Sequence, residues 1–245
     1  MLEMFRADLH LHTCLSPCAD ETMVPLAIVR EAKKKGLDVV GICDHNSTRN
    51  VKAVRRAGQR EGLSVIGGVE ITTAEEVHIL ALFDQQSDLD KMQQLIDQNL
   101  GGENNPELFG EQYVCDENGL IVGREMQLLI GATELRVEDV VANIHNFGGL
   151  AIASHVDRER FSLISQLGFV PERLQIDALE VSPLHSVSQA ADQLPQIRNY
   201  PLVSFSDAHQ LEEIGRVFTT FTGVSPSVRE LGKALGGKDG REVMN

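Results

Sequence analysis

The chain has 245 residues, enough for one large domain or for a domain carrying a small insertion. Hydrophobic residues at 42% and charged residues at 24% exclude disorder as the main state, and no run approaches the roughly 18 apolar residues of a membrane helix. The net charge of −14, with 4% aromatics and no Trp, argues against an extensive nucleic-acid surface while leaving room for a local basic pocket.

In chain order, short β-rich runs alternate with helical periodicity, the pattern of an α/β fold. Strands are expected at Ala7–His12, Asp38–Cys43, Ser64–Ile71, His78–Phe83, Leu150–Ser154, Ala178–Ser182, Leu202–Ser206 and Val217–Phe221. Several are nearly continuous in apolar residues, as strands buried on both faces are. A helix from Pro25 to Lys35 opens on a favoured proline and stops at Gly36. Ser87-x-x-Asp90 reads as the start of a second helix burying Leu89, Met92 and Ile96. Val137, Val140, Val141 and Ile144 form one face of another that stops at Gly148-Gly149, and Ser227-x-x-Glu230 caps the last. Residues 101–132 break this rhythm: Gly101 to Pro106 reads as loop, and Asn118-Gly119 between two β-prone arms signals a hairpin. The chain is therefore read as one barrel-like domain over 1–245 of seven or eight strands, with an insertion at about 101–132 that lies between two histidine-bearing segments and is expected to limit access to a site. In such barrels functional side chains sit at the C-terminal ends of strands.

Four cysteines, Cys14, Cys18, Cys43 and Cys115, are too few for a disulfide framework. With no signal-type apolar run in Met1–His10, a reducing, cytoplasmic setting is expected. The chemistry is signalled by the histidines. Six of the eight fall in Asp8-Leu9-His10-Leu11-His12, Asp44-His45, Glu75-Glu76-Val77-His78, Ser154-His155 and Asp207-Ala208-His209, at predicted strand ends. Residues two apart on a strand share a face, so His10 pairs with His12 and Asp207 with His209. Imidazoles and carboxylates gathered at one barrel mouth are costly without a compensating cation, and they are the ligands of zinc, iron and manganese. His145 and His185 lack such a context and read as ordinary core or surface residues.

Asp8-Leu9-His10-Leu11-His12-Thr13, with Ser16, Asp20 and Pro25, resembles the first motif of the PHP (polymerase and histidinol phosphatase) superfamily. Gly36-Leu37-Asp38 through Asp44-His45-Asn46 is similar to its second, Ser154-His155 to its third and Ser206-Asp207-Ala208-His209 to its fourth, and Gly68-Val69-Glu70 matches the segment bearing a bridging glutamate. The resemblance runs from about residue 6 to 222. It implies a distorted (β/α)7 barrel, two or three divalent metal ions (zinc, manganese or iron), and phosphoester hydrolysis. Carried over, His10, His12, Glu70 and Asp207 would hold one ion; Glu70, His78 and His155 a second; Asp20, His45 and His209 a third. The stretch from His12 to Asp20 is longer than usual and contains Cys18, which stands as the alternative to Asp20. Asp8 and Asp44, beside ligand histidines, are candidate partners for ring N–H groups.

Two metals flanking a phosphoester activate water and bind the phosphoryl oxygens, and Glu70 would set their spacing. Three carboxylates bring about −3 against about +6 from three divalent ions, leaving a site attractive to phosphate. Arg158, Arg216 and Arg49, in that order, are candidate phosphate donors, and His155 and His209 are candidate proton carriers beside Glu70. The expected substrate is a small phosphomonoester, nucleotide or short oligonucleotide, with no membrane partner. A histidinol-phosphate phosphatase, an amidohydrolase-type metal hydrolase and a non-catalytic metal-stabilised scaffold stand as alternatives.

Overall fold

The computed structural model describes residues 1–244. Its frame is a single nine-stranded sheet. Seven of these strands curl into the barrel: β1 (Glu3–Leu11), β2 (Val39–Ile42), β3 (Ser64–Thr72), β4 (His78–Phe83), β7 (Leu150–Ala153), β8 (Ala178–Val181) and β9 (Leu202–Ser204). The segment after β9 reaches back to β1 through a parallel Leu11–Ala208 bridge, all but closing the sheet. β10 (Thr219–Gly223) and β11 (Val243–Met244) extend it antiparallel beyond β1. The neighbouring pairs in the barrel are parallel except that β4 runs antiparallel to both β3 and β7. His78, at the start of β4, therefore faces the same end as Thr72, at the finish of β3.

Apolar side chains form two clusters, as a barrel wrapped by helices requires. Ala7, Leu9, Ile66, Leu80, Ile152 and Phe205 belong to the inner one, which Val228 and Leu231 of α8 (Val228–Leu235) join. Leu11, Ile42, Val69 and Ile71 belong to the outer, against α1 (Pro25–Lys34), α2 (Val51–Glu61), α3 (Gln86–Asn99) and α5 (Val137–Asn146). Ala7 and Leu9 point inward but Leu11 outward, a change of parity at the register shift between Asp8 and Leu11. That bulge turns His10 and His12 toward the barrel mouth. At Gly41 a Cβ would stand 2.4 Å from the Leu9 carbonyl oxygen, so only glycine allows β1 and β2 to approach here.

The expected strands are all present with small changes at their ends. β2 begins one residue late, at Val39, because the Asp38 carboxylate accepts the Arg6 backbone N–H at 2.8 Å. Pro25 opens α1, and Ser227 caps α8 by accepting from Glu230 N–H, both as expected. Ser87 does not cap α3. That helix starts at Gln86 with no side-chain cap, and Asp90 instead accepts from Gln86 at 2.8 Å and pairs with Lys52 at 3.3 Å.

The insertion carries a short α4 (Pro106–Phe109) and the expected hairpin, β5 (Tyr113–Cys115) with β6 (Ile121–Arg124). It braces the loop after β1. Tyr113 N–H donates to Cys14 O at 3.0 Å, Cys115 N–H to Asn50 Oδ1 at 2.9 Å, and Asn46 Nδ2 to the carbonyls of Leu129 and Gly131 at 2.7 and 2.8 Å. The Cys14 and Cys115 sulfurs lie 3.5 Å apart.

Two short helices, α6 (Leu163–Leu167) and α7 (Val187–Gln193), complete the wall near β8. At the end of α5, His145 bonds the Asp177 carboxylate at 2.8 Å, which raises the histidine pKa above its ordinary 6.5 against the opposing effect of burial. A raised folded-state pKa means the pair stabilises fully below about pH 6.5 and loses that contribution as pH rises through the higher folded value. Both side chains are about one-third exposed, so solvent screening holds the effect under about 1 kcal/mol. The Tm gap between parent and His145→Gln is expected to be larger at about pH 5.5 than at about pH 9; an equal gap at both would refute the pairing.

Candidate metal centre

Six imidazoles and two carboxylates converge at the barrel mouth. His10 and His12 come from the end of β1, His45 follows β2, Glu70 lies near the end of β3, His78 opens β4, His155 follows β7, and Asp207 and His209 follow β9. Glu70 stands at the middle. Its carboxylate oxygens lie 3.4 Å from His10 Nε2, 3.5 Å from His12 Nε2, 3.1 Å from His45 Nδ1, 3.0 Å from His78 Nδ1 and 3.4 Å from His155 Nε2.

The hydrogen bonds on the far side of the rings settle what these atoms present. Ser16 hydroxyl donates to Asp44 at 2.8 Å, so its oxygen accepts from His12 Nδ1–H at 3.0 Å. His10 Nδ1 meets both oxygens of Glu180 at 3.0 Å and so carries its proton there. His12 Nε2 then presents its lone pair, and the Nε2 atoms of His10 and His12 lie 3.2 Å apart with Asp207 Oδ1 3.3 and 3.2 Å away. Lone pairs and carboxylates so arranged repel unless a cation lies among them. Ligand atoms about 2.0–2.1 Å from a tetrahedral ion lie about 3.3 Å from one another, and the contacts of His10 and His12 with each other, with Asp207 and with Glu70, at 3.2–3.5 Å, are close to that separation. Asp207 Oδ1, His45 Nδ1 and His155 Nδ1 are buried without a hydrogen-bond partner, as befits atoms meant for a group other than protein. The residues present thus fit a cluster of divalent ions.

The electrostatics diverge over short distances. Burial opposes ionisation of Glu70, but His78 and His10 outweigh it and hold the carboxyl well below its ordinary range. Asp207 is held down likewise, against burial, by His10 and His12. His10 is raised well above an ordinary imidazole because Glu180, Glu70 and Asp207 outweigh burial, whereas burial, His209 and His45 push His12 well below it.

Backbone strain accompanies the convergence. His155 and Asp207, with Asn46 beside His45, have φ of 30, 50 and 48°, uncommon for residues other than glycine. Asn46 is held there by its bonds to the insertion and by accepting Thr72 N–H at 3.1 Å.

Some expected participants lie elsewhere. Asp20 is exposed, and its carboxylate accepts from Thr22 N–H and Oγ1 at 2.8 and 2.6 Å, so it caps its own turn. Cys18 is exposed as well; desolvation opposes ionisation of its thiol, but His45 and His209 outweigh it and bring it down to about 6. Arg49 is consumed by Glu125 at 2.6 Å and Asp97 at 3.4 Å, away from the cluster. Arg216 bonds Glu213 at 3.2 Å and the Ser206 carbonyl at 3.0 Å, facing a separate cleft. Arg158 does reach the cluster, with Nη1 2.7 Å from Asp207 Oδ2. Asp8 and Asp44 touch no ring directly. Asp8 accepts Ser206 and Gly215 N–H at 2.9 and 2.8 Å, and Asp44 acts on His12 through Ser16.

Two features were not anticipated from sequence. Glu180, fully buried on β8, orients His10 and also accepts His155 N–H at 3.1 Å. Its only sequence signal is an acid inside the apolar run Ala178-Leu179-Glu180-Val181. Glu180→Gln is expected to lower metal affinity or activity by roughly 10–100-fold; metal titration that leaves affinity unchanged would defeat this role. The second is a cleft of about 610 Å³ opening on the cluster, lined by His78, His155, Arg158, Phe161, His185 and Asp207 among others. No residue of 101–132 lines it, contrary to the expectation that the insertion restricts access, because the insertion packs on the loop after β1 instead. Phe161 stacks on His78 with ring centroids 4.6 Å apart. His185 Nδ1 is held by Asp157 at 2.8 Å, and Asp157 is fixed by Ser182 N–H and Oγ at 2.7 and 2.8 Å.

The chain matches the model of the PHP domain over residues 8–161 and that of the PHP-associated domain over 188–237. It is 30% identical over 80 residues to a phosphoribosyl 1,2-cyclic phosphate 1,2-diphosphodiesterase of Eggerthella lenta, covering 31% of this chain and 29% of that protein. It is 34% identical over 78 residues to a 5'-3' exoribonuclease of Haemophilus influenzae, covering 31% and 27%. The matched stretch is thus under a third of the length of each relative. Among solved structures, the lesion-specific endonuclease PfuEndoQ of Pyrococcus furiosus superposes with a TM-score of 0.72 at 20% identity, covering 99% of this chain and 58% of that one, a likeness of fold. No helix among the described residues is long and apolar enough to cross a membrane. With a barrel of this topology, donors gathered at its mouth and a family model that spans most of its length, the chain belongs to the PHP family.

Proposed function

We propose that this chain hydrolyses phosphoester bonds at a cluster of two or three divalent ions, on a small phosphorylated molecule such as a nucleotide or the end of a short oligonucleotide. The observation that carries the reading is the set of imidazole nitrogens and carboxylates around Glu70 and Asp207, at ligand spacing and opening on a cleft that also holds Arg158. His10, His12, Glu70 and Asp207 would hold one ion, and Glu70, His78 and His155 a second. Bound there, divalent ions supply a water acidic enough to attack phosphorus near neutral pH and positive charge facing the phosphoryl oxygens.

The protein's own groups divide the remaining work. Arg158 presents its guanidinium fork to a phosphoryl oxygen at the rim, steadied through Asp207. His185, with Nδ1 tied to Asp157, offers Nε2 to the cleft and gives a proton to the departing oxygen. Glu180 and Ser16 fix the ring orientations of His10 and His12. Phe161 and Leu184 supply an apolar wall for the organic part of the ester.

The diphosphodiesterase, exoribonuclease and endonuclease among the similar proteins support phosphoester chemistry. The cleft volume lies in the range of small-ligand sites, and a net charge of −14 disfavours tracking a long phosphate backbone, so a small ester or a chain end is favoured over internal duplex. Elemental analysis combined with a phosphate-release screen over phosphosugars, nucleotides and oligonucleotides tests the proposal. Divalent metal together with metal-dependent phosphate release is expected. Protein that stays metal-free after incubation with manganese and zinc, and inert on the whole panel, would overturn it.

A further inference from the structure

The insertion meets the loop after β1 sulfur against sulfur. We propose that Cys14 and Cys115 form a reversible disulfide site, oxidised by low-molecular-weight disulfides, that fastens the insertion hairpin to the loop following His12. The bond depends on the fold alone and not on the reading of the mouth as a metal centre.

The two thiols are free, buried and 3.5 Å apart, with exposures of 2% and 4%. A disulfide needs about 2.05 Å between sulfurs, so the closing movement is roughly 1.5 Å. Backbone bonds hold the pair in place from both sides. Tyr113 N–H donates to Cys14 O at 3.0 Å, and Cys14 N–H donates to Met23 O at 2.9 Å. Asn50 stitches the two segments together. Its Oδ1 accepts Cys115 N–H at 2.9 Å, while its Nδ2 donates to Thr13 Oγ1 and Tyr113 O at 2.9 and 3.0 Å. The other two cysteines differ in setting. Cys43 Sγ donates to Leu9 O at 3.3 Å within the inner apolar cluster, and Cys18 is exposed.

The oxidant gains access when the hairpin opens. β5 and β6 form a two-stranded sheet of their own, and Leu120, Ile121 and Val122 are exposed. A hairpin that buries so little apolar surface opens at low cost. One cysteine thiolate then attacks a sulfur of the oxidant, forming a mixed disulfide and expelling one thiol. The second cysteine attacks the protein sulfur of that mixed disulfide and expels the other. The protein loses two protons and two electrons, and the oxidant leaves as two thiols. The two cysteines are 101 positions apart, and closing so long a loop in the unfolded chain is where a disulfide gives the most stability. Thr13 N–H and Oγ1 bond Asp44 at 2.6 and 2.8 Å. The fastened hairpin thus also steadies the turn beside His12.

Purified reduced protein incubated with oxidised glutathione tests the proposal. Digestion without reductant is expected to give the Cys14 peptide joined to the Cys115 peptide, with fragmentation placing the link on Cys14 rather than Cys18. Tm should rise by about 5–10 °C, and dithiothreitol should remove both the link and the rise. Cys115→Ser and Cys115→Val should show neither, and one folded variant suffices. Glutathione adducts without a protein link would overturn the proposal, as would a link from Cys115 to Cys18. A Cys14–Cys115 link with unchanged Tm would overturn the fastening, and a rise that persists in the variants would show that it comes from another site. Neither readout involves turnover, so failure here leaves the hydrolytic reading standing.

Discussion

Glu70→Gln is expected to leave a folded barrel that binds at least one divalent ion fewer and hydrolyses phosphoesters about 10³-fold more slowly or worse. The magnitude follows from the several kcal/mol that metal ions contribute to such a transition state, at about 1.4 kcal/mol per tenfold in rate. Glutamine keeps the shape and removes the charge that five imidazoles surround within 3.5 Å. The measurement is metal content by elemental analysis beside kcat/KM on one substrate. A variant with full metal content and parental turnover would refute the central place given to this carboxylate.

His185→Ala is expected to slow hydrolysis of alkyl phosphoesters by about 10²–10⁴-fold, the usual contribution of a positioned general acid. Esters of nitrophenol should be affected only several-fold, since that leaving group departs without help. Asp157→Asn should follow the same pattern more weakly, because it unties the Nδ1 hydrogen bond without removing the ring. Equal losses on both ester classes would show that His185 holds the substrate or the local fold and moves no proton.

Much of this was legible in the sequence because buried strands and paired ligands are written in local patterns. The run from Ala7 to His12 announces both a strand and a pair of rings at the barrel mouth, and Asp207-Ala208-His209 announces a second such pair just past the last barrel strand. What escaped was set by contacts distant in sequence. Glu180 lies 170 residues from the ring it orients. Arg49 follows a ligand segment closely, yet Glu125 and Asp97 claim it, and nothing near it in the sequence predicts those partners. Asp20 caps its own turn by accepting from Thr22, a matter of loop closure that spacing alone does not decide. His185 looked ordinary because its carboxylate partner lies 28 residues earlier, on another strand's exit.

The reversed strand β4 has a consequence for the order of assembly. Because β3 and β4 run in opposite directions, Glu70 and His78 are joined by a tight local connection and meet eight residues apart at 3.0 Å. Closing so small a loop costs little chain entropy. Asp207 must instead travel back to His10 across nearly the whole polypeptide, and contacts of such span form slowly. The Glu70–His78 corner is therefore expected to form early, a half-built chelate able to capture an ion while the rest of the mouth is still being gathered, with protection from hydrogen exchange during refolding reaching Ile71 and Ile79 before Leu11 and Ala208.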